Sequence, residues 1–242
     1  MINITNEDNM NLMSRFKDNY FDLAIVDLEY GIGASKPSTK KKEVVQKNGS
    51  KLKVNQNIHT HKDWDFKMSD ESYFKELFRV SKNQIIWGGF YYGLKGGAIV
   101  WDKLNGKSDQ YDCEIAYQSF NKRTDLFYYK WWGMIQGKKA SRNVQEANIQ
   151  RGNKELNETI IHPTQKPIPV YEYIITKYAK KGDKIIDTHG GSMSIALAIH
   201  NLNHIDDMDL SLDICELDPE YFKDGFKRYN NHINNYAPLF NK

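Results

Sequence analysis

The feature that most restricts this chain is an alternation of short apolar runs with stretches of helical period, clearest from residue 167 onward. Residues 184–187 and 211–215 read as strands, and 167–180, 192–201 and 219–230 as helices. In the first of these helices the apolar stripe is Val170, Tyr173, Ile174, Ile175 and Tyr178. Elements in this order bury their apolar faces as a mostly parallel sheet with helices on both sides, a doubly wound α/β fold. The first half agrees. Residues 21–27 (FDLAIVD) and 84–88 (QIIWG) are apolar strands, 70–80 carries Tyr73, Phe74, Leu77, Phe78 and Val80 at helical spacing, and 98–101, 113–120 and 125–132 are further strands. With 242 residues and no internal repeat or Pro/Gly/Ser-rich linker, the expectation is a single domain over residues 1–242.

Charge is nearly balanced, with 34 basic and 31 acidic residues, so its distribution matters more than its sum. Between Lys36 and Lys62 the basic residues face Glu43 alone. This stretch is too polar for a core and is expected to be a long surface loop. Basic insertions are thus predicted at about 34–66 and 134–160, where lysines and arginines would give salt-sensitive affinity for nucleic-acid phosphates. Asn105, Gln110, Gln136, Arg142, Asn143 and Gln145 have the side-chain chemistry to read base edges. Cys113 and Cys215 lie far apart and are expected as reduced thiols. His162 and His189 have no third ligand at recognisable spacing, so no metal site is expected. No apolar stretch approaches membrane-spanning length, and the polar opening from Met1 to Asn11 is unlike a secretory signal. No membrane contact is expected, and the cytoplasm is the expected location.

Ligands of open α/β sheets bind at the carboxyl ends of strands. Two such ends carry chemistry. One is Asp27-Leu28-Glu29-Tyr30-Gly31; the other is Asp187-Thr188-His189-Gly190-Gly191-Ser192, whose glycines let a backbone approach a ligand beside a helix N-terminus. One strand later, in Cys215-Glu216-Leu217-Asp218, Glu216 is placed to bind the two hydroxyls of a ribose. A glycine turn with a downstream acid also serves nicotinamide cofactors, so these residues alone leave the nucleoside cofactor open.

His162-Pro163-Thr164-Gln165-Lys166-Pro167, placed before a helix, resembles motif X of the β-class amino-directed DNA methyltransferases. The resemblance spans nearly the whole chain. Residues 187–192 are similar to that family's motif I, 215–218 to its acidic cofactor motif, and 27–30 to motif IV, with the target-base motif first and the cofactor motifs last. It implies a Rossmann-like class I methyltransferase fold, S-adenosylmethionine as cofactor, DNA as partner, and methyl transfer to an exocyclic base amine. A homodimer is left open.

The resemblance also assigns roles. Asp27 and the Leu28 carbonyl would accept hydrogen bonds from the amine, and Tyr30 would stack on the extruded base. Asp187, Thr188, His189, Gly190, Gly191 and Ser192 would cradle the methionine part, and Glu216, with Asp218 beside it, would hold the ribose. His162, Pro163, Thr164, Gln165, Lys166 and Pro167 would shape the cofactor pocket. Asp rather than Ser at position 27 favours adenine N6 over cytosine N4. N4-cytosine or RNA adenine methylation, or a catalytically impaired DNA-binding homologue, are the alternatives. Leu28 and Glu29 replace the two prolines of the family's usual Asp-Pro-Pro-Tyr, which predicts a less restrained loop and an added negative charge. Met193 stands where the family often has a small residue, and is expected to narrow the cofactor pocket or to cover it.

Overall fold

A computed structural model describes residues 1–29, 43–45, 51–53, 69–105, 111–132, 135–138 and 157–240. The chain forms two compact units, one made of residues 1–28 and 69–242 and one of residues 29–68.

The larger unit is built on a nine-stranded sheet. In chain order its strands are β1 (Ile2–Asn6), β2 (Phe21–Asp27), β5 (Ser81–Trp87), β6 (Gly97–Asp102), β7 (Cys113–Gln118), β8 (Thr124–Trp132), β9 (Ile135–Lys138), β10 (Lys184–Asp187) and β11 (Ser211–Glu216). They lie side by side as β1-β11-β10-β2-β5-β7-β6-β8-β9. The first five are parallel, β7 runs antiparallel to both β5 and β6, β8 is parallel to β6, and β9 closes the edge antiparallel to β8. The sheet is therefore mostly parallel, as the alternation of elements requires, with a mixed half beyond β5. The smaller unit contains β3 (Glu43–Val45) and β4 (Lys51–Lys53), an antiparallel pair with Val44 opposite Leu52. This corrects the reading of residues 36–62 as loop alone. Val44, Val45 and Leu52 supply enough β-propensity within this polar stretch for the two segments to pair. The rest of that basic stretch, and residues 139–156 of the second, lie outside the described residues.

The chain leaves β2 toward β5 on one side and leaves β10 toward β11 on the other, so the strand order reverses between β10 and β2. Right-handed crossovers then put the connecting helices on opposite faces and open a crevice above the carboxyl ends of these two strands. Helix α1 (Asn9–Ser14) packs on α2 (Glu71–Val80), and α4 (Ser194–Ile205) packs on both α3 (Ile168–Tyr178) and α5 (Pro219–Phe240). Asp70 caps α2 by accepting from Tyr73 N at 3.1 Å, and Tyr73, Leu77 and Val80 form its buried stripe. Leu12, Met13, Phe21, Ala24, Val26 and Ile86 complete that core. On α3 the buried stripe is Val170, Tyr171, Ile174 and Ile175. Tyr173 instead stacks on Phe127 at 4.5 Å between centroids, only partly buried.

Other boundaries shift for local reasons. Strand β5 begins at Ser81, directly after α2, because its polar residues are satisfied internally. Ser81 Oγ donates to Leu77 O, and Gln84 Nε2 donates to Ser81 O at 2.9 Å. Helix α4 starts at Ser194, since Met193 takes a left-handed conformation (φ 59°) that ends the turn before it. Strand β1 is an edge strand whose asparagines bond its neighbour, Asn3 to Asp213 and Asn6 to Glu216 O, so it shows no apolar run.

At Gly225, α5 comes close to the turn that follows β10. A Cβ there would lie 2.7 Å from Met193 Cγ and 2.8 Å from the carbonyl oxygen of Gly191. Gly225→Ala should therefore destabilise the protein by about 1–3 kcal/mol despite alanine's better helix propensity. The midpoint of urea unfolding measures this.

Candidate active site

Three neighbouring strands, β11, β10 and β2, end on acids: Glu216, Asp187 and Asp27. The crevice thus collects three carboxyl groups where little water reaches, and each is accommodated differently.

Asp27 is ion-paired with Lys166, whose side chain is 2% exposed. The same ammonium lies 3.0 Å from Glu114 Oε2 on β7 and 5.0 Å from the centroid of the Trp87 ring on β5. Glu114 in turn pairs with Lys103. Burial works against the Lys166 ammonium, but the charges of Asp27 and Glu114 outweigh it and hold the lysine above its ordinary value. Burial would likewise raise Glu114, yet Lys166 and Lys103 keep it below the usual carboxylate range.

Asp187 is 1% exposed and accepts from His189 N at 2.9 Å. Burial, reinforced by the charges of Asp27 and Glu216, pushes its carboxyl up to about 8. Glu216 is met by two backbone donors, Gly191 N on Oε2 and Asp218 N on Oε1, both at 2.8 Å. Burial still raises it above its ordinary value. Since each oxygen keeps a second lone pair, the carboxylate is oriented without being used up.

The turn after β10 is fastened on all sides. Gly190 N donates to Cys215 O at 2.8 Å, Met193 N donates to Gly190 O at 2.8 Å, and Thr188 Oγ1 lies 2.7 Å from the Tyr73 hydroxyl of α2. Gly191 adopts φ 49°, which glycine permits without strain. Among the described residues, a Cβ on Gly191 would meet nothing nearer than 3.9 Å, an ordinary van der Waals distance. Met193 neither narrows nor covers this turn from outside. It is fully buried under the turn, against Gly190 and Gly225. Arg228 of α5 donates to Ser192 O at 2.7 Å, to Ser194 Oγ at 2.9 Å and to Glu158 at 2.7 Å, while Glu158 also accepts from Ile168 N at the start of α3.

The segment at 162–167 divides between two places. His162 packs its ring on Tyr221 of α5 (4.3 Å between centroids) and lies next to Gly191. Gln165 is spent on its own loop, accepting from Ile161 N and donating to Thr159 O, and Pro167 caps α3. Pro163 and Thr164 are exposed. Lys166 faces Asp27 rather than the glycine turn. Asp218 is the N-cap of α5, accepting from Glu220 N and Tyr221 N on Oδ1. Leu28 is 3% exposed, its side chain buried in the core. Glu29 opens the smaller unit, and Tyr30 lies outside the described residues.

Two base-reading candidates are corrected. Gln136 is buried with both ends of its amide bonded to the Glu158 backbone, and buried Asn105 donates to Tyr111 O. Gln110, Arg142, Asn143 and Gln145 lie outside the described residues. Sequence reasoning did not pick out Glu114, Tyr73, Glu158 or Arg228. Only Glu114 leaves a trace, as the one charged residue of its strand.

Between pH 7 and 8 the carboxyls of an unfolded chain are deprotonated and its histidines mostly so, whereas folded Asp187, raised to about 8, is still largely protonated at pH 7 and releases its proton through this window. A raised acid loses its stabilising contribution as pH climbs toward the folded value. His200 and His232, held low first by burial, have the opposite slope, confined to lower pH. Stability of the ligand-free protein should thus fall by about 1 kcal/mol across this window. Asp187→Asn, which imitates the protonated acid, should flatten the fall in urea titrations.

Comparison with known proteins agrees with this architecture. The N6_N4_Mtase family model, described as DNA methylase, matches residues 21–226. Among solved structures, the M1.HpyAVI–SAM complex superposes with a TM-score of 0.53 at 17% identity, covering 95% of this chain and 100% of that one. The cytosine-N4-specific PvuII DNA methyltransferase superposes with a TM-score of 0.50 at 11% identity, covering 99% of this chain and 93% of that one. No curated protein sequence matches the chain. Both superpositions share the class I methyltransferase fold, and with a family model spanning most of the sequence, the chain belongs to the DNA methylase family of S-adenosylmethionine-dependent enzymes that modify exocyclic base amines, at adenine N6 or cytosine N4.

Proposed function

We propose that this protein methylates the N6 amine of adenine in DNA, with Asp27 and the Leu28 carbonyl as the acceptors that orient the amine. The observation that carries the reading is the adjacency of β10 and β2, in parallel register at Ile185–Leu23 and Ile186–Ala24, which brings the Asp27 tip beside the Asp187 turn.

The residues present suit S-adenosylmethionine. At Gly191 a Cβ would meet only ordinary van der Waals contacts, so the backbone there can approach a ligand, and Glu216 is presented with lone pairs that a diol can use. Bound there, the cofactor supplies a methyl group on a cationic sulfur, already activated for transfer. The task left to the protein is to improve a poor nucleophile, because the lone pair of a base amine is conjugated into its ring. Asp27 and the Leu28 carbonyl draw on the two N–H bonds and favour a tetrahedral nitrogen aimed at the methyl. On accepting the methyl group the amine would give up one proton to solvent, with the neutral thioether as the leaving group. Tyr30 is assigned to stack on the extruded base, offsetting part of the cost of unstacking, which is a few kcal/mol.

Support for adenine over cytosine comes from Asp rather than Ser at position 27. DNA rather than RNA follows from the family. The cytoplasm fits an enzyme of intracellular DNA, and no described helix is long and apolar enough to cross a membrane.

Incubation with labelled S-adenosylmethionine and unmethylated bacterial genomic DNA, followed by digestion to nucleosides, should yield N6-methyladenine. N4-methylcytosine would reassign the base, and Asp27→Ala should lose at least about a hundredfold in transfer rate while still binding cofactor. Independently, Glu216→Ala should weaken cofactor binding about 10- to 100-fold by calorimetry, the loss expected for hydrogen bonds to a charged group.

A further inference from the structure

We propose that Lys166 is a positioning residue for the methyl transfer, its ammonium clamped by Glu114 so that it fixes and charges the Asp27 carboxylate that receives the amine. The inference rests on the assignment of Asp27 as that acceptor and departs from the view that residues 162–167 only shape the cofactor pocket.

The geometry is specific. Lys166 is the residue just before the cap of α3, and its side chain is almost wholly enclosed, with Trp87 covering one side of the ammonium at 5.0 Å. Two carboxylates on different strands converge on it, Asp27 from β2 and Glu114 from β7, with β5 between them in the sheet. Glu114 is itself anchored by Lys103, whose ammonium lies 4.9 Å from the Trp101 ring. A chain of alternating charges, Asp27, Lys166, Glu114, Lys103, therefore spans four neighbouring strands, from β2 across β5 and β7 to the end of β6.

This arrangement answers a chemical need. An amine is drawn toward tetrahedral geometry by an ionised acceptor far better than by a neutral acid. Asp27 lies within electrostatic reach of two further buried groups, Asp187 on β10 and Tyr171 of α3. Among the described residues, Lys166 is the cation paired with it. Glu114 gives the ammonium a second anchor, so the lysine holds its place when an amine N–H arrives at Asp27. Each carboxylate oxygen has two lone pairs, so the ammonium and the amine can share the carboxylate.

Three variants test this. Lys166→Met should leave cofactor affinity within about threefold and lower the transfer rate at least tenfold. The acidic limb of its rate–pH profile should move upward by about one unit or more, as expected when an acid loses a neighbouring opposite charge. Lys166→Arg should restore the position of the limb. Should Lys166→Met fail to fold, Glu114→Gln keeps the ammonium but removes its anchor and should slow transfer with cofactor affinity unchanged. An unmoved acidic limb in Lys166→Met, or a cofactor affinity weakened more than tenfold at an unchanged limb, would overturn the proposal. Full activity of Asp27→Ala would instead remove the reading on which it rests, a separate outcome from either.

Discussion

Charge crowding at the switch point is the constraint around which the rest of this protein is arranged. Glu216, Asp187 and Asp27 end three consecutive parallel strands, and like charges in a poorly hydrated crevice repel strongly. The fold resolves the conflict in three chemically distinct ways: two backbone N–H groups for Glu216, retention of a proton for Asp187, and a buried lysine for Asp27. Each solution draws on a different part of the chain. The first needs the turn at Gly191 and the start of α5, the second needs the burial of Asp187 at the end of β10, and the third needs the linker before α3. Sequence segments that are far apart are thereby held to one local electrostatic problem.

The packing around the turn has the same origin. Arg228 joins Ser192, Ser194 and Glu158, so α5, the start of α4 and the entrance to α3 are fixed together at one guanidinium. Burying that pair costs desolvation that its attraction only partly offsets, which is why Glu158 is raised to about 7 even beside an arginine. A buried pair of this kind contributes geometric definition more than stability.

Much of the framework was legible from periodicity. The run FDLAIVD and the alternation after residue 167 signal buried strands and their covering helices, and the glycine turn and Glu216 could be located at strand ends before any coordinates existed. The edges were not legible. Strand β1 holds its place through asparagine side chains, and β5 opens with Ser-Lys-Asn, residues whose polar groups are satisfied only once the neighbouring elements are present. In the site, residue identity at 162–167 was informative but its division of labour was not. A motif read along the chain suggests one task, whereas the loop tied by Gln165 turns His162 toward Gly191 and Lys166 toward Asp27. Met193 and Leu28 looked like disturbances of the family pattern because a sequence carries side-chain size but not direction. Both point into the protein.

The sheet unit also fixes the two points at which the chain leaves it and returns. Leu28 is sunk in the core, and Ser69 N donates to the Tyr92 hydroxyl. Both anchors belong to the larger unit, so the points where the chain departs from the sheet and rejoins it are set by that unit's own packing.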